Sequence, residues 1–126
     1  MKLLVCGGRD FMDRNIVFEV LDGVHAKRRI EVIIHGCARG ADRLAGQWAK
    51  ARGVLCAEVE AHWAAHGKGA GPRRNRAMLS LGPDGVVAFP GGDGTLNMIR
   101  IAEEAGIKVW LPCGMPEYKP TAPAGR

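Results

Sequence analysis

The residues best placed to do chemistry form the stretch Pro90-Gly91-Gly92-Asp93-Gly94-Thr95. It follows directly on the apolar run Val86, Val87, Ala88, Phe89, and a helical pattern begins at once. Glycines at a strand-to-helix turn let a ligand approach the backbone, and free N–H groups at a helix N-terminus suit a phosphate. Three other segments share this character: Gly7-Gly8-Arg9-Asp10, the run from His35 and Gly36 through Ala38, Arg39, Gly40 and Ala41 to Asp42, and the loop holding Trp63 and Gly67 to Gly71. One such turn carries little weight, because glycine-rich connections are common in α/β proteins. Four of them point to a phosphate-binding cleft and a nucleotide-type ligand.

Several side chains could serve that cleft. Arg73, Arg74, Asn75 and Arg76 follow Pro72, which suits a first helical position. Positive charge there opposes the helix dipole unless an anion binds, and arginine's fork matches phosphate. The alternative is that these arginines are solvated or paired with Asp10, Asp42 or Asp93. Thr95 can cap the helix it opens or donate its hydroxyl to a phosphate. Asp42 either favours the start of its own helix or partners a ribose hydroxyl or an arginine. Trp63 either stacks on a base or packs. His62 and His66 have a metal-compatible spacing, but no nearby cysteine or carboxylate completes a set, so neither a metal nor a cofactor is expected. His35 reads as a positioned polar residue. There is no Gly-x-Ser-x-Gly elbow and no Walker lysine motif, which argues against an α/β-hydrolase and a P-loop NTPase.

These turns need elements to hold them. Apolar runs at Leu3–Cys6, Glu31–Ile34, Val54–Val59, Gly85–Phe89 and Lys108–Leu111 read as strands. Between them lie helical patterns. Asp13 caps a stripe of Val17, Val20, Leu21 and Val24; Ala41, Leu44, Ala45, Trp48 and Ala49 precede the stop Gly53. A third helix runs from Pro72 to about Leu81, and a fourth from Thr95 to Ala105 with Met98, Ile99 and Ala102 inward. Strands without polar alternation, separated by helices, predict an α/β fold: a Rossmann-like three-layer sandwich with a mainly parallel sheet of about five strands. Right-handed crossovers then bring all four turns to one sheet edge, where such folds bind ligands. The expected organisation is one domain over residues 1–111 and a Pro-rich C-terminal tail over 112–126.

Composition fits a soluble domain: 126 residues, 47% hydrophobic and 25% charged, with a formal charge of +5 that favours anionic partners. Cys6, Cys37, Cys56 and Cys113 are widely spaced and read as free buried thiols of a reducing compartment. No apolar run reaches membrane-spanning length and the apolar N-terminus is too short for a signal peptide, so a cytoplasmic protein without membrane contact is expected.

The motifs together resemble the SLOG superfamily, and within it the small YspA-like branch related to cpYpsA. The resemblance runs through Gly7-Gly8-Arg9-Asp10-Phe11, His35-Gly36-x-Ala38-x-Gly40-Ala41-Asp42, Ala61-x-Trp63, Gly67-x-x-Ala70-Gly71-Pro72-x-Arg74-Asn75 and Pro90-Gly91-Gly92-x-Gly94-Thr95. It implies a nucleotide or nucleotide-derived ligand, such as an ADP-ribose-like molecule or a nucleoside phosphate, held by a sensor or sequestering module. The ligand-binding set is then Gly7, Gly8, Arg9, Gly36, Gly40, Ala41, Asp42, Trp63, Arg74, Asn75, Pro90, Gly91, Gly92, Gly94 and Thr95. The superfamily's Lonely Guy-type phosphoribohydrolases imply an alternative, hydrolysis of an N-glycosidic or phosphate bond. Arg74 and Met78 match part of their pattern, but Met98 stands where they carry a glutamate, and a thioether cannot replace a carboxylate at a glycosidic centre. The catalytic candidates are therefore Arg74, Asp93 and Asp42. Relatives that process DNA imply a second alternative, nucleic-acid binding, although few aromatics are present for stacking. The resemblance also implies a homodimer or larger.

Overall fold

The structure is a computed structural model in which residues 1–115 are described. Five strands, β1 (Lys2–Cys6), β2 (Val32–His35), β3 (Leu55–Glu58), β4 (Gly85–Ala88) and β5 (Val109–Trp110), form one sheet in the order β3-β2-β1-β4-β5. Every pairing is parallel; Leu4, for example, lies between Ile34 and Val86. The helices are α1 (Arg14–Lys27), α2 (Ala41–Arg52), α3 (Trp63–His66), α4 (Ala70–Ser80) and α5 (Asp93–Glu104), with a 3₁₀ turn at Gly67–Gly69. The Rossmann-like α/β layering expected from the sequence is the one observed.

The unbroken apolar strands are explained by two cores. Leu3, Val5, Ile33, Val87 and Phe89 face α1 and α2, whose Val17, Leu21, Leu44 and Trp48 pack onto them. Leu4, Cys6, Ile34, Val86 and Ala88 face the other layer, against Met78 of α4 and Met98, Ile99 and Ala102 of α5. Successive strand residues point to opposite faces, so a sheet covered on both sides needs apolar residues at every position. Local chemistry sets the helix ends. The Asp13 carboxylate accepts the Ile16 N–H at 3.1 Å at the start of α1. Gly53, left-handed at φ 68°, returns its N–H to α2. Trp48 Nε1 donates to Asp22 at 2.8 Å, and Arg52 clamps the same carboxylate at 2.9 and 2.8 Å, tying α2 to α1.

Three elements depart from expectation. β3 is an exposed edge, with Leu55 72% accessible, because it has one neighbour and little helix above it. Helix α4 starts at Ala70, which makes Pro72 its third residue; the amide proline lacks is one that no helix uses in its first turn. Helix α5 starts at Asp93 with Gly92 as its cap, so Thr95 is its third residue and not its first. Of the four thiols expected to be buried only Cys6 is; Cys37 is half-buried, Cys56 and Cys113 are exposed, and all four are free. Met115 packs into the second core; the remainder of the 112–126 tail, from 116 onward, lies outside the described residues. Among the described residues no helix is long and apolar enough to cross a membrane.

Candidate functional site

All strands point the same way, so their C-terminal ends share one edge, and β1 at the centre marks where chain order reverses toward β4. The Gly8 N–H donates to the Pro90 carbonyl at 2.8 Å, and Phe11 stacks on Phe89 with centroids 5.2 Å apart. The turns after β1 and β4 are thus joined to each other. Beside them opens a cleft of about 590 Å³, lined by Gly7, Gly8 and Arg9 from the first turn, Asp42 from α2, Trp63, Arg74 and Asn75 from α3 and α4, Gly92 from the turn after β4, and Asp93, Gly94 and Thr95 from α5. A smaller recess of about 380 Å³ adjoins it and shares Arg9, Ala38, Trp63 and Arg74, with Gly36, Arg39 and Glu60 on its other walls.

Four of the residues expected at the site, Gly40, Ala41, Pro90 and Gly91, line neither space. They support it from below. Gly40 sits at φ 81°, where a side chain is strained, and a Cβ there would also come 2.6 Å from the Arg9 carbonyl. Ala41 lies beneath Gly7, Pro90 accepts the Gly8 amide, and Gly91 is wedged between Thr95 and the Gly8 amide. The Gly8 N–H is consequently taken, and cannot serve a phosphate.

The first turn of α5 is different. Its first i→i−4 bond runs from Leu96 to Gly92 at 3.0 Å, so the N–H groups of Asp93, Gly94 and Thr95 have no partner within the helix. They form the positive end of the helix dipole at the cleft wall. Thr95 is 5% exposed and makes no capping bond.

Helical geometry divides the arginine cluster. Arg73 and Arg76 are exposed, whereas Arg74 turns inward. Its Nη1 donates to the Gly36 carbonyl at 2.6 Å and its Nε to Asn75 Oδ1 at 3.1 Å, leaving further N–H groups for the cleft. Its guanidinium lies so close over Gly36 that any side chain there would collide with it. Asn75 is buried and donates to the Gly94 carbonyl at 3.1 Å and to Asn97 Oδ1 at 2.9 Å, which fixes α4 against the start of α5. Asp10 pairs with Arg39 at 3.2 Å, away from the 73–76 cluster. Trp63 is 48% exposed, with the Arg9 guanidinium 5.6 Å from its ring centre.

Asp42 is the buried charge of the site, 5% exposed. Its Oδ2 accepts the Gly36 N–H at 3.1 Å and the Ala38 N–H at 3.3 Å. Burial pushes its carboxyl up to about 6, against the opposing pull of those amides and of Arg74 and Arg9. Cys6 forms part of the cleft floor, and burial, reinforced by Asp42, pushes its thiol far up, so it is a poor nucleophile.

Cys6, Ala38, Lys68, Gly71, Pro72, Met78 and Asn97 also line the cleft; Ala38, Lys68 and Gly71 fall in segments expected there, but none of the seven belongs to the expected binding set. Helical spacing carried a signal for two of them. Met78 lies one turn after Arg74, and Asn97 one turn after Asp93.

His35, Cys56 and Glu58 bring ligand-type atoms within 4.8 Å of one another at the β2–β3 edge. The Cys37 N–H donates to His35 Nδ1 at 3.0 Å, so the neutral ring carries its proton on Nε2. That is the atom an ion would need, and it faces Glu58 at 3.4 Å. Burial holds the His35 pKa below the ordinary value although Glu58 pulls it up. The cluster therefore reads as a neutral histidine beside a carboxylate. The other pair with metal-compatible spacing, His62 and His66, is exposed, His62 just before α3 and His66 at its end.

Comparison with known proteins adds three findings. Residues 1–66 match the YspA, cpYpsA-related SLOG family. The Gene 61 protein of Mycobacterium phage D29 is 39% identical over a 116-residue alignment that covers 86% of this chain and 93% of that protein. Among solved structures, the X-ray structure of DNA processing protein A (DprA) from Streptococcus pneumoniae superposes with a TM-score of 0.72 at 22% identity, over 87% of this chain and 49% of that one. The chain thus spans about half the length of DprA, and the likeness is one of fold.

Proposed function

The chain belongs to the YspA, cpYpsA-related SLOG family, and on that premise we propose that its cleft binds a nucleotide or nucleotide-derived ligand, of the nucleoside phosphate or ADP-ribose-like kind, as a sensor or sequestering module. The observation that carries this reading is that the first-turn amides of α5, which have no partner within the helix, and the inward-facing Arg74 line one and the same cleft. A phosphate there meets the helix dipole and a guanidinium fork at once. The exposed face of Trp63, at the junction of the two spaces, suits a base, and a volume of about 590 Å³ is that of an ordinary small-molecule site.

A thermal-shift panel of orthophosphate, AMP, ADP-ribose and adenosine tests it. Phosphate-bearing compounds are expected to raise Tm and adenosine to raise it little. Arg74→Ala is expected to weaken AMP binding by about tenfold to a hundredfold, the span of hydrogen bonds to a charged group. Because Arg74 also holds the Gly36 carbonyl, Arg74→Lys provides the control: charge is kept and the fork lost, so affinity should lie between the two. Panel compounds that leave Tm unchanged would end this reading.

One observation favours hydrolysis as a second reading. Asp42, its carboxyl pushed up to about 6, and Asp93 both line the cleft, and a carboxylate poised near neutrality can act as a base. Release of adenine or ribose phosphate from AMP, lost on Asp42→Ala or Asp93→Ala, would convert the binder into an enzyme. Nucleic-acid binding, suggested by the DNA-processing name of the DprA neighbour, is tested by single-stranded DNA affinity that falls steeply with salt.

A further inference from the structure

The two oxygens of Asp42 are in unequal positions. Oδ2 accepts both loop amides, while Oδ1 has no hydrogen-bond partner among the described residues. Among the described residues the only buried side-chain nitrogen or oxygen atom without a partner is His35 Nε2. An unbonded Oδ1 must therefore touch solvent, and the solvent next to Asp42 is that of the cleft it lines. The cleft thus combines two opposite chemistries. The α5 amides and Arg74 offer hydrogen-bond donors and positive charge; Asp42 offers a fixed acceptor and negative charge. A phosphate group is repelled from the second. The part of the ligand that reaches it must donate, and in a nucleotide the donor nearest the phosphate is a sugar hydroxyl.

We propose that Asp42 is the specificity-determining acceptor of this site: its cleft-facing oxygen takes a hydrogen bond from a ribose hydroxyl, so that the cleft selects a ribonucleotide over its deoxy counterparts and over one with a second phosphate on the sugar. This rests on the phosphate-binding reading given above. The amides of Gly36 and Ala38 lock the carboxylate in one orientation, so the acceptor is in place before the ligand arrives. A site built to bond a hydroxyl rejects the analogue without it, because the polar group is then left buried and unpaired.

Calorimetric titration of the whole chain with orthophosphate, AMP, 2′,3′-dideoxy-AMP and adenosine 2′,5′-bisphosphate tests the inference. The wild type is expected to favour AMP over the dideoxy compound by about tenfold to a hundredfold, and to bind the bisphosphate more weakly than AMP. In Asp42→Asn the amide oxygen can keep the two loop N–H groups while its NH₂ faces the cleft. There the dideoxy preference should shrink to within about threefold and the bisphosphate should bind at least about tenfold more tightly than to wild type. Equal wild-type affinity for AMP and its dideoxy analogue overturns the proposal even if Asp42→Asn fails to fold, since that comparison needs no variant. Wild-type preference surviving intact in a folded Asp42→Asn overturns it as well. If orthophosphate and AMP bind without discrimination, the role of Asp42 alone falls; if neither binds, the cleft reading falls and takes this one with it.

Discussion

Asp42 carries a cost that its burial makes readable. The folded chain holds the Asp42 proton up to about pH 6, whereas an unfolded aspartate releases it near 3.8. Between those values the native state binds more protons, so stability falls as pH rises through the window and is flat above it. The shift corresponds to about 3 kcal/mol at neutral pH. Urea unfolding of Asp42→Asn is expected to lack this decline between pH 4 and 7, and the variant should equal or exceed the wild type at pH 7 although it has lost a charge. Lowered pKa values at His35, Glu31 and Asp84 add stability as pH rises, so the comparison is the difference between wild type and Asp42→Asn; a difference that rises across the same interval would mean that Arg74 and Arg9 outweigh desolvation. Residue-scale chemistry was partly legible in the sequence: Asp42 stood out, with two roles open. What the letters did not show was which oxygen the Gly36 and Ala38 amides would take, because that depends on the path of the loop, including Cys37 at φ 65°.

At the scale of elements, the contact between α1 and α2 is pinned at Asp22. Arg52 and Trp48 hold its carboxyl down at about 2, so the clamp is intact above the ordinary aspartate range and is lost as pH falls toward 2. Removing it by Asp22→Ala strands the Trp48 indole N–H in the core and should cost about 1–3 kcal/mol by urea unfolding. Asp22→Asn, which keeps an acceptor, should cost less. The existence and order of the long elements were legible because apolar periodicity states them directly: Val17 and Leu21 on α1, and Leu44, Ala45, Trp48 and Ala49 on α2, are buried as their spacing implies. Element ends were less legible. Proline at position 72 and threonine at 95 each mark the first turn of a helix without fixing its first residue, since any of several positions there tolerates them. The exposure of β3 was hidden because Leu55-Cys56-Ala57 reads like an inner strand; only the order of strands makes it an edge.

For the whole molecule, the strand order decides where the candidate cleft lies. With β1 central, the turns after β1 and β4 meet, while α4 and α5 lie together on one face and present Arg74, Asn75 and the α5 amides to the same opening. The sequence could place glycine-bearing turns on one edge, but not separate lining residues from supports. Gly40 and Gly91 are required by backbone crossings beneath the cleft, which no local pattern reveals. Net charge is a poor guide at this scale too. At the opposite edge the Asp84 carboxylate accepts the Lys2 amide within reach of Arg28, so the basic Lys27-Arg28-Arg29 run does not stand alone. The central claim is that an anion sits on the first turn of α5 beside Arg74. Its most direct test is a two-dimensional NMR titration of the ¹⁵N-labelled chain with AMP, following backbone amides and arginine Nε–H signals. The account predicts the largest shifts at Asp93, Gly94, Thr95 and Arg74, with the Lys27–Arg29 run unmoved; shifts confined to that run, or none at the start of α5 at saturating AMP, would contradict it.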